Sequence, residues 1–136
     1  MTYLVLDAST AIGWMVDTPA PQMALRALDL LQSGTIGVVP DLWYYEVCNA
    51  LMMAERRGRA SAQLVSSHIS DIERLAAFLE VSSTTPSALM AAARQSGLTA
   101  YDAAYFELAL RRNLPLATLD EKMRAAAQRA GIQLLR

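Results

Sequence analysis

Four acidic residues stand where acids rarely stand. Asp7 is the lone charged side chain within residues 1–16. Glu46 is alone in Leu42–Ala54 (LWYYEVCNALMMA), Asp102 in Leu98–Phe106 (LTAYDAAYF) and Asp120 in Asn113–Asp120 (NLPLATLD). An ionised carboxylate set among apolar neighbours without a partner is costly, and it otherwise takes up a proton. Four carboxylates with no imidazole or thiolate among them form a hard oxygen donor set. Such a set suits Mg²⁺ or Mn²⁺ rather than zinc or copper. His68 is the one histidine and Cys48 the one cysteine. That excludes a histidine pair for acid–base work, a two-imidazole zinc site and an internal disulfide.

Each acid also has a local structural reading. Asp7 can cap the helix that follows, Thr99-x-x-Asp102 fits a capping box, and Asp120 can be an N-cap. Glu46 can be a solvated helix residue. All four local explanations are needed at once, which favours a common site. Three polar residues accompany the acids. Ser9 lies two positions past Asp7 and can bind a metal-held water or cap the helix. Asn49 is at i+3 from Glu46, so the two share a helix face, and asparagine is otherwise unfavourable inside a helix. Thr118 immediately precedes the Leu119-Asp120 pair.

The elements that would position these residues follow from patterning. Thr2–Leu6, Ile36–Val39, Leu79–Ser82, Pro115–Leu119 and Ile132–Leu135 read as five short strands. Helices are predicted from Ser9 or Thr10 to Val16, Gln22–Gln32, Leu42–Arg57 with Asp41 as cap, and Ser61 to about Phe78. Three more follow: one opened by Thr85-Pro86 and closed by Gly97, one capped by Thr99 and running to Arg112, and one started by Asp120 and ended by Gly131. Apolar strands alternating with helices imply crossover units. The predicted fold is a three-layer α/β/α, Rossmann-like domain with a five-stranded, mostly parallel sheet, in one domain over residues 1–136. Ligands of such sheets bind beyond the carboxyl ends of the strands. Asp7 and Asp120 fall at or just after those ends, Asp102 falls in the first turn of a helix that starts there, and Glu46 in an early turn of another.

Composition bounds the partners. The chain of 136 residues carries 12 basic and 13 acidic residues, a formal net charge of −1. That is not the footprint of a duplex-DNA binder, although a bound divalent cation would invert the sign at a site. It is 54% hydrophobic but only 18% charged. So few charges on a small domain predict exposed apolar surface and a stable partner or self-association. No apolar run is long enough to span a membrane, and the start lacks the basic region of a signal peptide. The expectation is a soluble cytoplasmic protein.

The motifs resemble those of PIN-domain ribonucleases, specifically the bacterial VapC-type toxins. The matching pieces are Leu6-Asp7-Ala8-Ser9, Pro40-Asp41-Leu42 leading into Glu46-Val47-Cys48-Asn49-Ala50-Leu51, Leu98-Thr99-Ala100-Tyr101-Asp102-Ala103-Ala104-Tyr105, and Leu116-Ala117-Thr118-Leu119-Asp120. The resemblance implies a PIN-like sheet, an acidic pocket holding Mg²⁺ or Mn²⁺, endonucleolytic cleavage of RNA, and neutralisation by a VapB-type antitoxin. On it, Asp7, Glu46, Asp102 and Asp120 form the catalytic set. Asp7 and Asp102 are direct metal ligands, and Asp120 is a second ligand or holds a metal-bound water. Glu46 orients or deprotonates the attacking water, with Ser9, Asn49 and Thr118 in support. No other cofactor is implied. A homodimer is expected, or a larger complex with the antitoxin. The alternatives are a housekeeping PIN nuclease without an antitoxin and a non-catalytic binding domain. A phosphatase with an aspartyl nucleophile fits less well, because its second acid would fall at Ser9.

Overall fold

A computed structural model describes residues 2–136. Strand β1 (Tyr3–Leu6) runs into α1 (Ala8–Val16) and α2 (Gln22–Gln32). After β2 (Ile36–Val39) come α3 (Leu42–Arg56) and α4 (Ala62–Leu75), which ends in a 3₁₀ turn over Ala76–Phe78. Then follow β3 (Leu79–Val81), α5 (Pro86–Ser96), α6 (Ala100–Arg112), β4 (Leu116–Ala117) and α7 (Glu121–Arg129).

The sheet is wholly parallel, in the order β3-β2-β1-β4. Leu4, Val5 and Leu6 are consecutive and each at most 2% exposed, so both faces of β1 are covered by helices. The main core gathers side chains from Leu4 to Ile132, with Trp43, Tyr105 and Phe106 among its largest fully buried members. β2 lies on one side of β1 and β4 on the other, so the chain changes direction across the sheet between β1 and β4. Such a switch opens a crevice at the carboxyl ends of the two strands.

The sheet has four strands, not the five read from the sequence. Ile132–Leu135 contributes a single parallel bridge, Leu116 to Leu134. The physical reason is the shortness of β4. Pro115 has no N–H to extend the ladder, and its carbonyl already accepts from Val5 N at 2.9 Å. Beyond Ala117 the chain turns to bond side-chain hydroxyls. One residue, Leu116, remains to pair with the C-terminal segment, through Leu116 N to Gln133 O and Leu135 N to Leu116 O, both 2.9 Å.

Most helix starts follow their local chemistry. Ser61, Thr85 and Thr99 each accept a hydrogen bond from the N–H three residues on. Gly97 ends α5 in the left-handed conformation at φ 73°. Asp41 departs from expectation. It has helical angles itself, φ −52° and ψ −37°, and makes no side-chain cap bond. The turn begins one residue earlier, with Trp43 N bonded to Pro40 O at 3.0 Å. Ser9 and Thr10 lie inside α1 rather than at its cap; the Ser9 hydroxyl goes to the site, and Thr10 Oγ1 donates to Ala117 O at 2.9 Å.

Candidate active site

Asp7 occupies the first position after β1, with its N–H bonded to Ala117 O at 3.0 Å across the β1–β4 switch. It stands at the N-cap position of α1 but makes no capping bond through its side chain. Its carboxylate is instead the focus of two hydroxyls. Ser9 Oγ donates to Asp7 Oδ2 at 2.5 Å and Thr118 Oγ1 donates to the same oxygen at 2.7 Å. The direction of both bonds is determined by the backbone. Leu119 N donates to Ser9 Oγ at 2.9 Å, and Asp120 N donates to Thr118 Oγ1 at 3.0 Å. Each hydroxyl accepts from an N–H, so its own hydrogen is free for Asp7. Gly13 supports this arrangement from one turn along α1. A Cβ there would stand 2.6 Å from Leu119 Cδ1, so only glycine lets the helix approach the Leu119 backbone this closely without displacing that side chain.

Asp7 is 4% exposed, and its carboxyl is held above its ordinary pKa. Burial is the main cause, with the charges of Asp102 and Asp120 adding to it; the Ser9 and Thr118 hydrogen bonds oppose it. Asp102, in the first turn of α6, is raised by burial and by Asp120, and lowered by its bond with Thr99 and by Lys122. Its N–H takes the Thr99 cap at 3.3 Å. Glu46 is half-buried in the second turn of α3, raised by burial and by the charges of Asp7 and Asp102, and lowered by a bond from Tyr105. Asp120 caps α7, with Met123 N donating to Oδ1 at 2.9 Å.

The tertiary structure therefore brings Asp7 and Asp102 each within electrostatic reach of the other three acids at the carboxyl edge of the sheet. None of the ion pairs found among the described residues involves them. Those pairs are Arg74–Asp71, Arg111–Glu107 and Arg112–Glu80. Asn49 is exposed on α3 and is not drawn into the hydrogen bonds around the acids. Tyr105 was quoted within the sequence motif but given no role there. Its buried hydroxyl donates to Glu46 Oε1 at 2.7 Å. The signal in the sequence is its position three residues past Asp102, one turn along the same helix.

The donor set fits a hard divalent cation in kind. All four groups offer carboxylate oxygens, both hydroxyls go to Asp7 Oδ2 rather than Oδ1, and burial, with mutual repulsion adding to it, raises Asp7, Glu46 and Asp102. Among the described residues no three of these side chains are already closed into a metal cage.

A comparison with curated proteins gives no match. Among solved structures, PAE2754 from Pyrobaculum aerophilum is 25% identical, with a TM-score of 0.71 over 99% of this chain and 84% of that one. VapBC2 from Rickettsia felis, bound to a DNA fragment from their promoter, is 15% identical with a TM-score of 0.61, covering 98% and 97% of the two chains. FitAcB from Neisseria gonorrhoeae is 14% identical with a TM-score of 0.65, covering 98% and 96%. The PIN domain family model matches residues 4–129, a span that begins within β1 and holds the other three strands, both sides of the switch crevice and every acid that faces it, and on that match the chain belongs to the PIN-domain family.

Proposed function

We propose that this chain is a metal-dependent endoribonuclease that acts as the toxin of a type II toxin–antitoxin module. PIN domains are generally nucleases, and the likeness to VapBC2 and FitAcB supports the toxin assignment. The observation that carries the reading is Asp7. It is a nearly fully buried carboxylate, raised by burial and by two neighbouring acids, with no cation paired to it among the described residues. As an anion such a group is stabilised further by an ion of opposite charge beside it.

In this reading Asp7, Asp102 and Asp120 hold Mg²⁺ or Mn²⁺. When bound, the ion supplies Lewis acidity toward the phosphodiester oxygens. Ser9 and Thr118 hold Asp7 in one orientation from both sides of the crevice. Glu46 takes the proton of the attacking water, and its raised pKa makes it a stronger base than a free glutamate. Tyr105 holds Glu46 Oε1, which leaves Oε2 for the water. Asn49 borders Glu46 on α3 and contacts RNA rather than the ion.

The partner in this reading is a small VapB-type antitoxin. The outer face of α3 leaves Tyr45 at 78% and Met52 at 39% exposed, residue types enriched at interfaces. Trp14, Met15, Ile72, Leu75 and Phe78 line a cavity of about 390 Å³ between α1 and α4. These surfaces support antitoxin binding and a homodimer, within one PIN domain acting in the cytoplasm.

The test is cleavage of cellular RNA by the purified chain with Mg²⁺ or Mn²⁺, alongside Glu46→Gln. Wild type cuts, the variant and the EDTA control do not, and expression of wild type alone arrests growth. Full cleavage in EDTA would sink the metal-dependent reading. Cleavage undiminished by a saturating excess of the adjacent small gene's product would reject the antitoxin and leave a housekeeping nuclease.

A further inference from the structure

A second cavity, of about 440 Å³, opens at the same carboxyl edge of the sheet as the acids. Leu42, Leu89 and Ala104 supply apolar wall, Asp41 and Thr84 supply polar atoms, and Tyr101 stands at its side. We propose that this cavity is a nucleobase subsite, which takes one unpaired base of the RNA next to the scissile phosphate and stacks it on Tyr101. The proposal rests on the nuclease reading and adds to it the part of the substrate recognised beside the cut.

Position comes first. Tyr101 directly precedes Asp102, and Leu42 lies four residues before Glu46, one turn back on α3. The cavity and the acid cleft therefore share two helices, with cavity residues directly before Asp102 on α6 and one turn before Glu46 on α3. A base on a nucleotide adjoining the reacting phosphate is the substrate group placed to enter it.

Chemistry comes second. Tyr101 is 72% exposed in the first turn of α6, a large aromatic face that no other side chain covers. Any base offers a π-face to such a ring. Thr84 lines the cavity and its Oγ1 is buried without a hydrogen-bond partner among the described residues, so a turn of this side chain about χ1 would offer it to a donor or acceptor on the edge of a base. The Asp41 carboxylate accepts only, which suits the amino groups of cytosine or adenine and the N–H groups of guanine. An uncharged base suits this cavity better than a phosphate, which Asp41 and the neighbouring acids repel.

Rigidity comes third. Arg111 Nε donates to Glu107 Oε1 at 2.7 Å, and Arg111 Nη2 reaches the Ser83 carbonyl at 3.1 Å. Glu107 is only 6% exposed, so this pair is anchored in α6. It ties the segment carrying Thr84 to the helix carrying Tyr101 and Asp102. The base wall and the acid are held at a constant separation, as selection of a base at one position from the cut requires.

The experiment titrates the isotopically labelled full chain, in EDTA, with each of the four nucleoside 5′-monophosphates, followed by amide NMR shifts. Ribose 5-phosphate is the base-free control. We expect shifts at Thr84 and Tyr101 with the nucleotides and not with the control, weakened about tenfold in Tyr101→Ala. Thr84→Val should change the ranking of the four bases. Equal shifts with ribose 5-phosphate, shifts confined to other surfaces, or none at millimolar nucleotide would each overturn the subsite; the last would give the face to a protein side chain. A companion assay sequences cut ends from RNA of random sequence. Tyr101→Ala should flatten base preference at one position beside the cut and raise KM. Nucleotide shifts at the cavity in a chain that never cuts RNA would end the nuclease reading and keep the subsite. Cutting whose base preference survives both variants would end the subsite and keep the nuclease.

Discussion

Tyr105 donates its hydroxyl to Glu46 Oε1 at 2.7 Å, joining α6 to α3 across 59 positions of sequence. The phenol has no exposed surface, and burial together with the Glu46 charge pushes its pKa far up, so it stays a donor at any working pH. The Ala8 N–H, next to Asp7, acts on the same hydroxyl. One buried OH thus links the start of α1 to the only acid of the site that comes from α3.

Tyr105→Phe removes this link with little change of volume. Cleavage should fall about tenfold, equivalent to about 1.4 kcal/mol in the barrier. In a Glu46→Gln background the same change should cost nothing further, since contacting residues are not additive. Steady-state cleavage by the four members of this double-mutant cycle is the measurement, and additive losses would show that Tyr105 acts by another route.

Asp7→Asn should trade activity for stability. The native carboxyl is raised above 3.8, so the folded state holds its proton more tightly than the unfolded state does. Stability is therefore lost as pH rises above 3.8 toward the raised native value. An amide keeps an oxygen for Ser9 and Thr118 while removing the charge. We expect a Tm raised by a few degrees at pH 7, with the gap from wild type closing as pH falls toward 4. Cleavage should drop by at least about two orders of magnitude, about 3 kcal/mol. A Tm lowered at pH 7 would contradict this account of Asp7.

Divalent cations should stabilise the wild type. Mg²⁺ or Mn²⁺ at about one hundred times its Kd would add about 2.7 kcal/mol. EDTA should reverse the gain, and Asp7→Asn and Asp102→Asn should lose it. Thermal melts with and without the ion provide the check, and an equal gain in all three proteins would place the ion elsewhere.

Thr118→Val should disturb the crevice without touching an acid. It deletes the donor to Asp7 Oδ2 and the acceptor of Asp120 N, leaving that N–H without its partner. Urea unfolding should show a loss of about 1–3 kcal/mol. Cation affinity should fall as well, because Asp7 then turns freely. A variant with unchanged stability and affinity would mean that Ser9 alone orients the carboxylate.

Much of this molecule was legible one residue at a time. Ser61, Thr85-Pro86, Thr99 and Asp120 announce their helices because a cap is settled within three residues of the chain, and Gly97 ends α5 for an equally local reason. The four acids stood out because charge is conspicuous in apolar sequence. Other features depended on atoms far along the chain. Asp7 was as good a cap as a ligand until Thr118, 111 positions away, was seen donating to it. The fifth strand failed because pairing is decided by the partner, and β4 has only Leu116 to offer. Asp41 lost its capping role to the Pro40 carbonyl, and Cys48 is exposed because α3 turns Trp43, Val47 and Leu51 inward instead. Local chemistry determined where elements begin and which residues carry charge. Only the tertiary structure decided which hydroxyl meets which carboxylate, because those contacts close loops whose ends the sequence keeps far apart.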